Sequence, residues 1–195
     1  MTLEVFLSYI GWAGTFLYLV NHAYISMMSN WKRTLYFGGN FLAATLLVVQ
    51  SVYLASWQAV VINGFWMLVS ICLLAGMSFD NIKIAAKHYY VVCVSLFVAL
   101  ISLSTLSLLS TGSWASTIQL FGWSSAFVFC SSYFLFSATR ISSRAYLILN
   151  AYAAIALLPL LWEKQNWPVF ALEVAWAAIS IYGVAKSYQQ VHLID

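Results

Sequence analysis

Apolar residues run along this chain in unbroken stretches of about twenty, and polar or charged residues collect between them. Seven such stretches are readable, at about 5–28, 34–55, 58–78, 89–111, 116–138, 144–162 and 167–187. A helix rising 1.5 Å per residue needs about 20 residues to cross a hydrocarbon core of roughly 30 Å. A transmembrane barrel would instead show segments of about ten residues alternating apolar and polar. The pattern therefore predicts an all-α polytopic membrane protein with seven transmembrane helices. The first stretch carries Glu4 where a signal peptide has a basic segment, and it outruns the apolar part of a signal, so it reads as a retained span.

Composition agrees and narrows the class. Of 195 residues, 64% are hydrophobic and 7% charged, against roughly 45–50% and about 25% in a soluble domain. So few charges cannot cover a water-soluble fold of this size, which excludes a cytosolic enzyme, a nucleic-acid-binding module and a disordered tail. Lys32, Arg33, Lys83, Lys87, Arg140, Arg144 and Lys186 fall on alternate loops of one side, and the other side has Lys164 beside Glu163. Basic residues favour the cytoplasmic side. The expected topology thus has the N-terminus outside and the C-terminus in the cytoplasm, with a bacterial inner membrane as the expected location. The net charge of +3 is then an insertion signal, and no nucleic-acid partner is expected. Cys72, Cys93 and Cys130 stand singly inside spans and read as small core hydrophobes.

The chain repeats itself. At a separation of 111 residues, Gly11-Trp12 falls on Gly122-Trp123, Phe16 on Phe127 and Ser26 on Ser137. At 110, Tyr36 falls on Tyr146, Asn40 on Asn150, Ala43-Ala44 on Ala153-Ala154, Trp57 on Trp167, Trp66 on Trp176 and Ser70-Ile71 on Ser180-Ile181. Each copy is a unit of three spans, 1–80 and 115–195. Two three-span units share one orientation only if a further span turns the chain around between them, and the Ser-, Leu- and Val-rich stretch within 81–114 supplies it. The expected architecture is two parallel three-helix repeats joined by a linker helix, a plan that recurs in transporters.

In that 3+1+3 plan and orientation the chain resembles the SWEET sugar facilitators and the wider PQ-loop group. Their third helix opens on acidic-x-Pro with an intramembrane Asn five residues after the Pro. Here Asn166-Trp167-Pro168 precedes Glu173 by that spacing, and Ser56-Trp57-Gln58 precedes Asn63. The bacterial nicotinamide riboside transporters, and small bacterial membrane proteins built of three helices, are similar in architecture. The resemblance implies a permease whose repeats alternate access to a midplane site. The Pro-Gln pair that names the group is replaced by Asn21-His22 and Ser132-Tyr133, and the chain has two prolines, Pro159 and Pro168.

The residues that point to chemistry lie inside the spans. Asn63, Trp66 and Ser70 share one helical face, and Glu173, Trp176 and Ser180 repeat it. A carboxylate in hydrocarbon costs about 2.5 kcal/mol or more on insertion scales, so Glu173 is expected to face the bundle interior or a wet cavity. It either lines a pocket, binding a hydroxyl or amine or taking up a proton, or serves protonated as a hydrogen-bonding link between helices. Tyr18, His22 and Tyr133 lie on a second stripe, and Asn40 and Asn150 on the second span of each copy are pocket residues or interhelical hydrogen bonds. The Gly38-Gly39 pair reads as close packing. Trp31, Tyr89, Tyr90, Trp114 and Trp162 fall near the ends of spans, where aromatic anchors collect. Aromatic faces with a few amide and carboxylate groups suit a small polar substrate such as a sugar or nucleoside. No motif for catalysis, cofactor or metal appears, and neither enzymatic activity, a cofactor nor a metal is expected. The expected partners are a small-molecule substrate and the lipid bilayer, with homo-oligomers left open. The alternative is a non-transporting receptor or accessory protein on the same scaffold.

Overall fold

A computed structural model describes residues 2–27, 32–79 and 84–191. Among these the chain forms seven helices: α1 (Leu3–Met27), α2 (Arg33–Tyr53), α3 (Trp57–Leu74), α4 (Ala86–Thr111), α5 (Ala115–Ser137), α6 (Ser143–Glu163) and α7 (Trp167–Val191). Each is long and apolar enough to cross a membrane, and the chain is an integral membrane protein of seven transmembrane helices. The helices begin and end within a few residues of the apolar stretches, because run length and helical rise together set where a span stops.

Contacts gather the chain into two compact units, Met1–Ser78 with Leu161–Leu172, and Phe79–Leu160 with Glu173–Asp195. In the first, α2 packs against both α1 and α3. The inner surface of α2 is Ala43, Ala44 and Leu47, all fully buried. Gly14 of α1 faces it: a methyl group there would lie 3.0 Å from Leu47 and 3.1 Å from the Ala43 carbonyl oxygen. In the second unit the corresponding place on α5 is Ser125, whose hydroxyl donates to the Ala153 carbonyl at 2.7 Å. Gly14 therefore brings α1 closer to α2 than a serine would allow, a substitution typical of close helix packing in membranes.

The turns repeat as well. After α2, the Ala55 amide bonds the Val52 carbonyl and the Ser56 amide the Ser51 carbonyl, with Ala55 at φ +49°. After α6, the Gln165 amide bonds the Trp162 carbonyl and the Asn166 amide the Leu161 carbonyl, with Gln165 at φ +52°. Both are left-handed helix stops that satisfy the last carbonyls before the next helix begins. Trp162, Trp167 and Phe170 pack edge to face around the second of these turns, as aromatic groups at a membrane interface do.

Two sequence expectations change here. Tyr89 is not a surface anchor: it is buried against Leu135 and Ile141, because its hydroxyl finds Ser131 Oγ at 3.1 Å. Of the Gly38-Gly39 pair, only Gly39 is a close-packing position. A methyl on Gly38 meets nothing within 4 Å, whereas one on Gly39 would lie 2.8 Å from Asn21 Oδ1. Gly39→Ala should cost about 1–3 kcal/mol by overpacking. Gly38→Ala should be neutral, or stabilising by up to ~1 kcal/mol from helix propensity. Thermal unfolding of both variants in detergent checks the contrast, and equal melting temperatures would refute it.

Candidate functional site

The polar side chains predicted from the sequence are buried in helices that are otherwise apolar. Asn63 and Glu173, at equivalent positions in the two copies, are each 5% exposed. Both follow the first residue of their helix by six, about 9 Å along the axis, well inside the apolar spans. They share this position because α3 and α7 start after equivalent turns and bury the same face. On α3 that face is Gln58, Ala59, Ile62, Asn63, Trp66, Val69 and Ser70. The α7 counterparts Val169, Leu172, Glu173 and Ser180 are buried likewise.

The two positions differ in chemistry. Asn63 donates from Nδ2 to the Ala59 carbonyl one turn back, at 2.9 Å. Glu173 has no amide hydrogen to offer, and its Oε2 is buried without a hydrogen-bond partner among the described residues. A buried polar atom left unpaired costs roughly 1–3 kcal/mol. Such an atom is a binding position for a donor, whether a ligand hydroxyl, an amine or a proton.

In the second unit the structure brings Trp176 and Asn150 together. Trp176 Nε1 donates to Asn150 Oδ1 at 3.3 Å, and Asn150 Nδ2 donates to the Tyr146 carbonyl at 2.8 Å. Trp176 is thereby held one helical turn from Glu173. Tyr133, on α5 of the same unit, is also buried.

In the first unit Asn40 is engaged differently. Asn21 Nδ2 donates to Asn40 Oδ1 and to the Tyr36 carbonyl, both at 2.8 Å, tying α1 to α2. The counterpart of Asn21 is Ser132, whose hydroxyl turns back to Phe129 of its own helix at 3.3 Å. Trp66 is buried on α3. His22 lies on α1, and its side chain is outside the described residues.

Several buried polar groups were not among the sequence candidates. Gln50 of α2 is 4% exposed, its Oε1 has no hydrogen-bond partner among the described residues, and it fills the space left by Gly11. Asn166 donates from Nδ2 to Ser51 Oγ at 3.1 Å, and Thr15 Oγ1 donates to the Pro168 carbonyl at 2.7 Å. Gln50 was readable as a glutamine inside an apolar stretch, Asn166 as part of Asn166-Trp167-Pro168, and Thr15 as a member of the same helical stripe as Tyr18 and His22. Among the described residues no three His, Cys, Asp or Glu side chains gather as metal ligands would.

One protein-family model matches residues 7–79 and again residues 118–191, and the chain belongs to that family. The matched segments begin 111 residues apart, the separation at which Gly11-Trp12 meets Gly122-Trp123. Neither the comparison with curated proteins nor that with solved structures gives a match.

Proposed function

On the footing that the chain belongs to this twice-matched family, we propose that it is a permease for a small polar metabolite of the sugar or nucleoside class. The observation that carries the reading is Glu173, a buried carboxyl group in a membrane-spanning helix whose Oε2 has no partner among the described residues. Ionisable groups at such depth are expensive, and they mark substrate or proton pathways. Trp176, one turn along and fixed by Asn150, supplies the apolar face against which a sugar or base ring packs. Glu173 supplies the polar contact that orients it. Asn63 and Trp66 form the corresponding pair of the first copy. The likeness of plan to SWEET and PQ-loop proteins supports the same class.

The charge distribution supports the topology proposed with it, N-terminus outside and C-terminus in the cytoplasm of a bacterial inner membrane. The test is uptake of a panel of labelled sugars and nucleosides by proteoliposomes against protein-free vesicles. We expect at least one compound to enter about tenfold faster with the protein. If none enters under any gradient, the receptor or accessory reading replaces the permease.

A further inference from the structure

Inside the first unit, polar side chains gather where the surrounding helices are apolar. Thr15 of α1, Gln50 and Ser51 of α2, Ser56 before α3 and Asn166 before α7 are each at most 4% exposed. Hydrogen bonds tie them together. Asn166 Nδ2 donates to Ser51 Oγ at 3.1 Å, and Thr15 Oγ1 donates at 2.7 Å to the carbonyl of Pro168, two residues beyond Asn166. The Ser56 amide bonds the Ser51 carbonyl at 2.9 Å. The Gln50 carboxamide lies where a methyl group on Gly11 would be, one turn from Thr15 on the same face of α1. The second copy has Ala126, Leu160 and Leu161 at the places of Thr15, Gln50 and Ser51. Helix packing as such therefore does not require these positions to be polar.

The cluster is rich in acceptors and poor in donors. Gln50 Oε1, Asn166 Oδ1 and Ser56 Oγ are buried with no hydrogen-bond partner among the described residues. The two amide oxygens can only accept, and buried acceptors left unmet are costly. Gln50 and Ser51 belong to the last turn of α2 (Arg33–Tyr53), the end of a helix that carries partial negative charge. Neither α1 nor residues 34–78 contain a Lys or Arg. Lys164, the basic residue of the segment Leu161–Leu172, is partly exposed in the turn beside Glu163.

We propose that this cluster binds a monovalent alkali-metal cation, held by the amide oxygens of Gln50 and Asn166 and the hydroxyl oxygens of Ser51 and Ser56. Hard cations take oxygen ligands. A divalent ion would bring two charges to a place without a carboxylate, whereas a single charge is held by neutral oxygens, as in carbonyl-lined ion sites. Water donates two hydrogens and meets two of the three unpaired atoms. A cation meets every oxygen around it and is favoured as well by the end of α2. Carbonyl oxygens and helix C-terminal ends hold coupling ions in transporters. The site uses none of the residues on which the permease reading rests, so each stands or falls without the other.

The test compares thermal unfolding in detergent in NaCl, KCl and choline chloride at equal ionic strength. For a site with a dissociation constant of about 1 mM, about 100 mM of NaCl or KCl should raise the midpoint by about 5 °C or more over choline chloride. Gln50→Leu removes one oxygen and installs the residue that the second copy carries. Gly11→Ala displaces only the far end of the flexible Gln50 side chain. Both variants should keep the wild-type midpoint in choline chloride and lose the alkali response, with affinity for radiolabelled sodium or rubidium lowered at least about tenfold. Gly38→Ala, whose added methyl meets nothing within 4 Å, should retain both. Equal wild-type midpoints in the three salts overturn the proposal and leave the cluster to water. An alkali response that survives in Gly11→Ala and in Gln50→Leu overturns it too, because the ion then binds elsewhere. If Gln50→Leu does not fold, Gly11→Ala decides.

Discussion

Glu173→Gln should abolish uptake in proteoliposomes, lowering the initial rate at least about tenfold, equivalent to ~1.4 kcal/mol, while leaving the protein folded. The substitution keeps the shape of the side chain and removes its capacity to ionise or exchange a proton. Because Oε2 has no partner among the described residues, the change breaks no hydrogen bond at that atom. The folded state should therefore hold its stability, or gain on the order of 2.5 kcal/mol where the wild type carries a charge in hydrocarbon. Uptake and thermal unfolding measured on the same preparation separate the two readings. Lost uptake with an unchanged melting temperature supports a binding or proton-carrying group. Unchanged uptake with a lower melting temperature makes Glu173 a packing residue and favours the receptor. The reverse exchange, Asn63→Asp, should behave differently. It deletes the amide that donates to Ala59 and should cost about 1–3 kcal/mol.

The second large effect is expected at Asn21. Asn21→Ala removes both hydrogen bonds that its amide gives to α2 and leaves Asn40 Oδ1 without its donor. Hydrogen bonds between membrane helices are worth roughly 0.6 kcal/mol on average and up to about 1.7, so losing two together should cost about 1–3 kcal/mol. In the double variant Asn21→Ala/Asn40→Ala the losses should fall short of additivity by at least ~0.5 kcal/mol, because one contact is removed twice. Ser132→Ala, at the equivalent place in the second copy, should change stability by less than about 0.5 kcal/mol, because that hydroxyl bonds within its own helix. Unfolding in detergent of these variants checks the set, and strict additivity would break the claimed coupling.

The architecture was largely legible before any coordinates. An apolar run of about twenty residues permits little besides a membrane-spanning helix. The positions of Lys, Arg, Asp and Glu then separate one run from the next, which is why the seven spans agree with α1 to α7. The pairing of Asn40 with Asn150 and of Trp66 with Trp176 was visible in the residues alone. Asn63 and Glu173 stood out for a related reason: a polar group inside an apolar stretch is costly enough to be noticed wherever it faces.

Tertiary structure decided which way each helix is turned. In water, an amphipathic pattern marks the inner face of a helix. In a bilayer, lipid tails are as apolar as leucine, so a helix that is apolar all round does not reveal which side meets protein. For that reason the sequence could not separate Gly39, pressed against Asn21, from Gly38, which faces open space. Nor could it place Tyr89 in a core, pair Asn21 with Asn40, or show that α4, α5 and α6 leave a groove walled by Trp123 and Tyr152. Hydrophobicity determined that the helices cross the membrane; side-chain shape and hydrogen bonding, which act only once the helices meet, determined how they face one another.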